Sequence, residues 1–323
     1  MAGINTVTNL ELAQRIISNQ FPAPFRKATI FYDFCQKGTV SPHNGGQMTF
    51  LSAPNIAVDT TALSETATTG NELASYQFIS GTATLANYGL QMPISELQAT
   101  TMTEGTLTQL GDEFGDWGGR TLDTLIYNAA TGNDGNGVNH YFKARQTALD
   151  TGTLTSADTL VAADLRVLRT HFKTNGVQGH SNLGGRFVLA LNPVQVADLQ
   201  GEAQSVSGNV TWASVNAHIP GAQGQNKILE GEGGALYGFE IKDSPTVAKV
   251  EVDTGVSGYK GLAFGKDAFV IAGMSDMKPK VRIVKPMDTN DPLQLVWKIA
   301  CKFKSGFSKV DRKRSCLVYS YSA

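Results

Sequence analysis

Large apolar side chains recur with the period of an α-helix along residues 101–132: Leu107, Leu110, Phe114 and Trp117, then Leu122, Leu125, Ile126 and Ala129. Thr101 and Glu104 have the spacing of a capping box, in which each side chain satisfies an orphan N–H of the first turn. Asp116 precedes Arg120 by four, a favourable surface pair, and Gly132 supplies a stop. At 1.5 Å per residue such a helix is roughly 40 Å long. Gly111, Gly115, Gly118 and Gly119 interrupt it, each at a cost of about 1 kcal/mol relative to alanine. Gly111, Gly115 and Gly119 share a face, where another backbone can approach or the helix can bend. The alternative is two shorter helices meeting at the glycines.

A second long element alternates. In residues 293–304, Leu293, Leu295, Trp297, Ile299, Cys301 and Phe303 share one face, and Gln294, Lys298, Lys302 and Lys304 share the other. This predicts a strand also about 40 Å long, with its apolar face on the helix. Between residues 47 and 92 two strand-like pieces flank an Ala/Thr/Ser-rich middle. Ile56, Val58 and Leu63 lie early in that middle, and Phe78, Thr82, Thr84, Tyr88 and Leu90 lie on the return. A hairpin with so little to bury is marginal alone in water. It is either disordered or laid on another chain.

The remaining pattern fills in around these elements. Thr8 with Glu11 opens a short N-terminal helix carrying Leu10, Ala13, Ile16 and Ile17, stopped before Pro22 and Pro24. About three turns are marginal alone, so this helix needs a surface to dock on. Residues 25–35 are aromatic-rich and read as a further helix or a packed strap. Ser95 with Gln98 marks another helix-start signal after Pro93. Residues 131–140 read as a turn, since the calcium-loop spacing fails. Ser156 or Asp158 opens a helix through Leu160, Leu165, Leu168 and Phe172 that ends at Asn175-Gly176. Residues 186–191 (RFVLAL) form a buried strand, and Asn192 then caps a helix that starts at Pro193 and ends at Gly201. Residues 202–225 are polar, with Trp212 the single large anchor. Strands follow around Ile228 and over 236–241, 247–252, 262–264, 269–272, 281–284 and 315–321. The class is α+β.

Composition changes this picture in one respect. The chain has 323 residues, of which 41% are hydrophobic but only 17% charged, below the usual quarter. A charge-poor surface favours a protein that hides surface in an assembly. A net charge of −1 argues against a dedicated nucleic-acid binder. Cys35, Cys301 and Cys316 are odd in number and far apart, which suggests neither a disulfide framework nor a zinc site. No signal peptide opens the chain and no apolar run approaches a membrane span, so the expected context is cytosolic at synthesis, with no membrane partner.

Catalytic chemistry is not evident. His43, His140, His171, His180 and His218 are scattered without metal-ligand spacing and read as surface or loop residues. Residues 261–267 (GLAFGKD) miss the phosphate-loop pattern by one spacer residue, with aspartate where Ser/Thr would hold magnesium, and read as a strand turn. Neither G-x-S-x-G nor H-E-x-x-H occurs. The basic run Lys309, Arg312, Lys313 and Arg314 reads as a solvated face or half of an intersubunit salt bridge ahead of a phosphate contact. Asn209 heads a glycosylation sequon that has no meaning without secretion. No catalytic, cofactor-binding or metal-ligating residue is expected, no cofactor, and no enzyme.

The order of elements, together with LANYGLQMPISEL (85–97), RTLDTLIYNA (120–129), KILEGEGGALYGFEIKDSP (227–245) and DPLQLVWKIACKF (291–303), resembles the major capsid proteins of tailed bacteriophages. The match is to a podophage-type subfamily with the Hong Kong 97-type shell fold. The resemblance implies an N-terminal arm (1–46), an extended hairpin loop over the neighbouring subunit (47–92), a peripheral domain with a long spine helix (93–180), an axial domain (181–253) and return strands of the peripheral domain (254–323). It implies self-assembly into pentamers and hexamers of an icosahedral head shell around double-stranded DNA. The location would be the virion, and the host cytoplasm during assembly. Implied partners are copies of the chain, a portal protein, a possible decoration or cement protein, and weak contact with packaged DNA. Many relatives carry a fused scaffolding domain before the hairpin, and too few residues precede it here, so a separate scaffolding protein is expected, with prior cleavage of such a domain as the alternative. An encapsulin-type compartment shell with enzyme cargo is the alternative, followed by a β-rich binding protein or enzyme.

Overall fold

In the computed structural model, residues Glu104–Thr131 form one uninterrupted helix, α1, about 42 Å long. Residues 29–41, 45–53, 56, 77–95, 104–132, 139–201, 234–274, 280–284 and 296–321 are described. The helix runs straight through its four glycines, and all four are buried. It therefore does not divide into two helices. Asp116 pairs with Arg120 at 2.7 Å, and the N–H of Gly132 closes the last turn on the Asn128 carbonyl at 2.8 Å. Thr101 and its cap lie outside the described residues.

The strands, in chain order, are β1 (Gln36–Val40), β2 (Gln47–Ser52), β3 (Ile79–Thr84), β4 (Ala86–Ser95) and β5 (His140–Lys143). Helix α2 (Ala162–Thr174) leads to β6 (Phe187–Leu191), helix α3 (Pro193–Gly201), β7 (Ala235–Leu236), β8 (Phe239–Asp243) and β9 (Lys249–Asp253). Then come β10 (Val256–Phe264), β11 (Phe269–Met274), β12 (Lys280–Val284), β13 (Val296–Lys309) and β14 (Ser315–Ser320). A five-stranded sheet is built around β13, with β4 antiparallel along one side, β12 and β11 on the other, and β1 parallel to β11. A seven-stranded sheet has the order β5-β14-β10-β6-β8-β7, with β9 also on β10. The third is the two-stranded ribbon β2-β3.

The alternation expected of β13 holds where its side chains are described: Ile299, Cys301 and Phe303 are buried, and Lys298 and Lys302 are exposed. The side chain of Trp297 and residues 293–295 lie outside the described set. The strand runs on to Lys309, past the expected end at 304. It can do so because Gly306 lets the Thr84 backbone come close: a Cβ there would meet the Thr84 carbonyl oxygen at 2.6 Å. Helix α1 packs on β13 and β11. Phe31, Leu122, Ile126, Phe264, Phe269, Ile271, Phe303 and Leu317 form a core shared by the helix and both sheets. A second core lies between α2, α3 and the seven-stranded sheet, with Leu165, Leu168, Phe172, Phe187, Leu189, Val196, Leu199 and Phe239.

Local signals set most of these elements. The Asn192 side chain accepts the Val194 N–H at 3.1 Å, and Gln195 reaches back to the Asn192 N–H at 3.0 Å, so α3 starts at Pro193 as expected. Helix α2 starts later than either Ser156 or Asp158. The Asp158 carboxylate is spent on a turn of its own, accepting from the Thr155 N–H at 2.7 Å, while Asp164 accepts the Val161 N–H at 3.1 Å. The aromatic stretch before Cys35 is a strap: Phe31 is fully buried ahead of a single 3₁₀ turn, Tyr32–Phe34. Residues 265–268 form the expected strand turn, and it carries the chain from one sheet to the other.

Sheet membership crosses all four of the expected segment boundaries, since β1 from the expected arm also joins the five-stranded sheet. The return strand of the hairpin divides at Leu85, so that β3 pairs with β2 and β4 joins β13. The seven-stranded sheet takes β5, β10 and β14 from outside residues 181–253. The N-terminal helix, the hairpin middle (57–76), His43, Asn209, Trp212, His218 and the strand at Ile228 lie outside the described residues.

Candidate assembly surface

The ribbon β2-β3 has one anchored face and one open face. Phe50 and Ala83 turn inward and cluster with Val40, Val270, Ala272 and Val310. Gly81 sits so close to the end of β13 that a Cβ would lie 2.8 Å from the Lys309 carbonyl oxygen. The Ser52 hydroxyl, buried at the end of β2, lies 2.7 Å from an Arg314 guanidinium nitrogen that donates to it. The opposite face carries Thr49 and Thr82, with hydroxyls 3.2 Å apart, and then Leu51 and Phe78. Leu51 is 63% exposed, Phe78 59% and Ile56 63%. Leu51 and Phe78 are thus exposed where the ribbon leaves the body, and exposed apolar residues brought together this way mark an interaction surface.

A cleft of about 540 Å³ opens beside the base of the ribbon. It is walled by Ala53 and Ile79, the end of α2, the turn between β10 and β11, and the 3₁₀ turn Arg312–Arg314. Lys173, Lys266, Lys313 and Arg314 line it, with Asp267 and Asp311. Asp311 pairs with Arg314 at 3.7 Å. Among the described residues, no carboxylate lies within ion-pair distance of Lys173, Lys266 or Lys313. The cleft is therefore cationic.

The basic run read from the sequence does not act as one patch. Lys309 is fully buried, and its ammonium donates to the Asn139 side-chain oxygen and to the Gly132 carbonyl, where it ties β13 to the end of α1. A lysine at the last position of a long strand gives no sequence signal of burial. Arg314 is engaged with Ser52 and Asp311, which leaves Arg312 and Lys313 exposed.

The described histidines are less peripheral than expected. His180 is buried, edge-on to Phe34 at 5.1 Å and to Phe264 at 5.8 Å, and burial lowers its pKa. His140 and His171 meet edge to face at 5.1 Å, and His140 Nδ1 lies 2.7 Å from Asp150. Burial and then the neighbouring His140 lower the pKa of His171. Among the described residues no group of three or more His, Cys, Asp or Glu has metal-binding geometry. Cys35, Cys301 and Cys316 are free and buried, and burial pushes the thiols of Cys35 and Cys301 up to about 12. Among the described residues no helix is long and apolar enough to cross a membrane.

Sequence comparison finds a match to a family model described as phage capsid protein over residues 78–311, more than two thirds of the chain. None of the curated proteins matches the sequence. Among solved structures, the capsid of Ralstonia phage GP4 superposes with a TM-score of 0.65 at 16% identity, covering 91% of each chain. The cyanophage Pam1 capsid superposes at 0.68 and 13% identity, covering 94% of this chain and 93% of the other. A virus-like particle from Pyrococcus furiosus gives 0.51 at 9% identity over 96% and 98%. The fold is the Hong Kong 97-type capsid fold.

Proposed function

The chain belongs to the phage capsid protein family, and on that premise we propose how its copies build a shell. It is a major capsid subunit that associates with itself. The open ribbon face is the observation that carries the assembly reading: Leu51, Ile56 and Phe78 are the most exposed large apolar residues among those described. They become covered when the ribbon lies on a neighbour. Residues 54–76 carry Asp59, Glu65 and Glu72 with no lysine or arginine. These carboxylates are complementary to the cleft lined by Lys173, Lys266 and Lys313, and they seat on that cleft of an adjacent subunit.

Sheet membership supports a revised division. The five-stranded sheet with α1 is the peripheral unit, and the seven-stranded sheet with α2 and α3 is the axial unit nearest the capsomer centre. Pentamers and hexamers of this subunit close an icosahedral head around double-stranded DNA, with a portal protein at one vertex. A separate scaffolding protein guides assembly, and a decoration protein binds the finished surface. The near-neutral charge supports weak contact with the packaged DNA, since few phosphates are neutralised. The subunit performs no catalysis. No observation favours a cargo compartment over this reading.

Deleting residues 54–77 and joining the strands by a short turn tests the proposal. The account expects a folded subunit that fails to assemble, and normal shells from the deleted chain would overturn it. Protease cleavage within 54–76 should be fast in free subunits and slow in shells.

A further inference from the structure

Among the described residues, the five-stranded sheet leaves an apolar groove beside α1. Among the described residues β4 pairs only with β13, which makes β4 an edge strand. Tyr88, Leu90, Met92 and Ile94 alternate onto one face of it. Ring contacts from Tyr88 to Phe303 at 5.5 Å and from Phe303 to Trp117 at 6.3 Å show that this face looks toward α1. Yet α1 lies over β13, and a groove of about 300 Å³ remains open between Leu90, Met92 and Pro93 on the strand and Leu110, Phe114 and Trp117 on the helix. Leu90 is 41% exposed at its floor. Helices pack about 8–10 Å apart and strands lie about 4.8 Å apart, so a helix alongside α1 would rest over β4 and its outer edge.

We propose that this groove seats the chain's own residues 9–20 as an amphipathic helix. Leu10, Ala13, Ile16 and Ile17 fall on one stripe, and Glu11 and Arg15 fall on the opposite side, so no charge is driven into the groove. Leu10 to Ile17 and Leu110 to Trp117 are runs of equal length, each about 11 Å of helix. A free helix of three turns is marginal in water, and a matching apolar groove supplies what it lacks. The tether also reaches. The backbone N–H of Phe31 is fixed to Asp123, nine residues along α1 from Phe114, which is about 14 Å and half a turn around. The eleven residues from Gln20 to Phe31 span up to about 36 Å, enough to pass over a helix about 10–12 Å wide.

The test uses the full chain as unassembled subunits, so it stands whether or not shells form. The double variant Ile16→Cys with Leu90→Cys is exposed to a mild oxidant and run on a non-reducing gel, and the three buried native thiols do not compete. A tethered pair meets at an effective concentration of about millimolar, so an intrachain bond should form quickly at micromolar protein. The control pair, Ile16→Cys with Lys302→Cys on the opposite sheet face, should stay reduced over the same time. Interchain dimers as the main product, or equal rates for the two pairs, would overturn the assignment. Hydrogen exchange gives a second reading without new cysteines. Amides 9–20 should be protected in the parent chain and exposed in Leu90→Glu, with β6 and β10 unchanged in both. Unprotected 9–20 amides in the parent chain would also overturn it.

Discussion

Asp123 and Phe31, 92 residues apart, are joined by a hydrogen bond of 2.7 Å in which the Asp123 carboxylate accepts the Phe31 backbone N–H. The same oxygen accepts the Ile30 N–H at 2.9 Å. One buried side chain on α1 thereby pins the N-terminal strap, and Phe31 packs between Tyr127 at 6.0 Å and Phe264 at 6.1 Å. Asp123→Asn keeps an oxygen acceptor without a charge and should leave the urea midpoint of the free subunit nearly unchanged near pH 4, where the Asp123 carboxyl is protonated in the folded chain. Asp123→Leu strands two N–H groups and should cost about 1–3 kcal/mol for each. Equal losses in the two variants would show that the acceptor is not what matters.

The same residue makes stability depend on pH. Burial raises the Asp123 carboxyl from 3.8 to about 6, so the folded subunit holds that proton more tightly than the unfolded chain. Its contribution is full below pH 3.8 and is lost as pH rises through about 6, a change of about 3 kcal/mol. His180 acts in the opposite direction. Its lowered pKa gives stability that is present above 6.5 and is lost as pH falls below it. Urea midpoints of the parent chain and Asp123→Asn across pH 4–8 should diverge in slope between 4 and 6. Parallel curves would place the Asp123 proton elsewhere.

The long strand supplies a contrast between faces. Phe303 is buried against Trp117 and Tyr88, so Phe303→Ala should cost about 3–5 kcal/mol. Lys302→Ala, one residue away on the open face, should stay within about 0.5 kcal/mol. Chemical denaturation of the two variants measures both. Similar losses would contradict the alternation.

Much of this architecture is legible in the chain because periodicity reports burial directly. The spacing from Leu110 to Ala129 marks α1, Ile299 to Phe303 marks β13, and Asn192-Pro193 marks the start of α3. What periodicity omits is which distant strand pairs with which. Nothing around Leu85 shows that β3 and β4 belong to different sheets, since both read as one return strand. The long-range polar ties were hidden for the same reason. Asp123, Lys309 and Arg314 look like ordinary surface charges until the fold brings Phe31, Asn139 and Ser52 to them. The assembly surface was half legible. The poverty of the hairpin in large residues pointed to a neighbour, but the cationic cleft draws on five separate segments.

The basic run should therefore separate by role. Arg312→Glu with Lys313→Glu should leave subunit stability within about 0.5 kcal/mol and lower the yield of shells in the absence of DNA. Lys309→Met leaves the Asn139 oxygen unsatisfied and should cost about 1–3 kcal/mol of subunit stability. Normal empty shells with defective genome retention in the charge-reversed variant would place the run on the DNA side.

Gly81 offers a geometric test of the ribbon's seat. A methyl group there collides with the β13 backbone at 2.8 Å, so Gly81→Ala should lift the ribbon without unfolding the sheets. Faster proteolysis near Ser52, with far-ultraviolet circular dichroism close to the parent chain, is the expected result. An unchanged cleavage rate would mean that the ribbon does not rest on β13.

Self-assembly into a closed shell is the central claim, and electron microscopy of the chain expressed with its candidate scaffolding protein tests it most directly. The account predicts closed particles whose walls resolve into hexamers and pentamers, with the β2-β3 ribbon of each subunit lying on its neighbour. Folded subunits that remain monomeric under those conditions, with Leu51 and Phe78 still open to solvent, would contradict it.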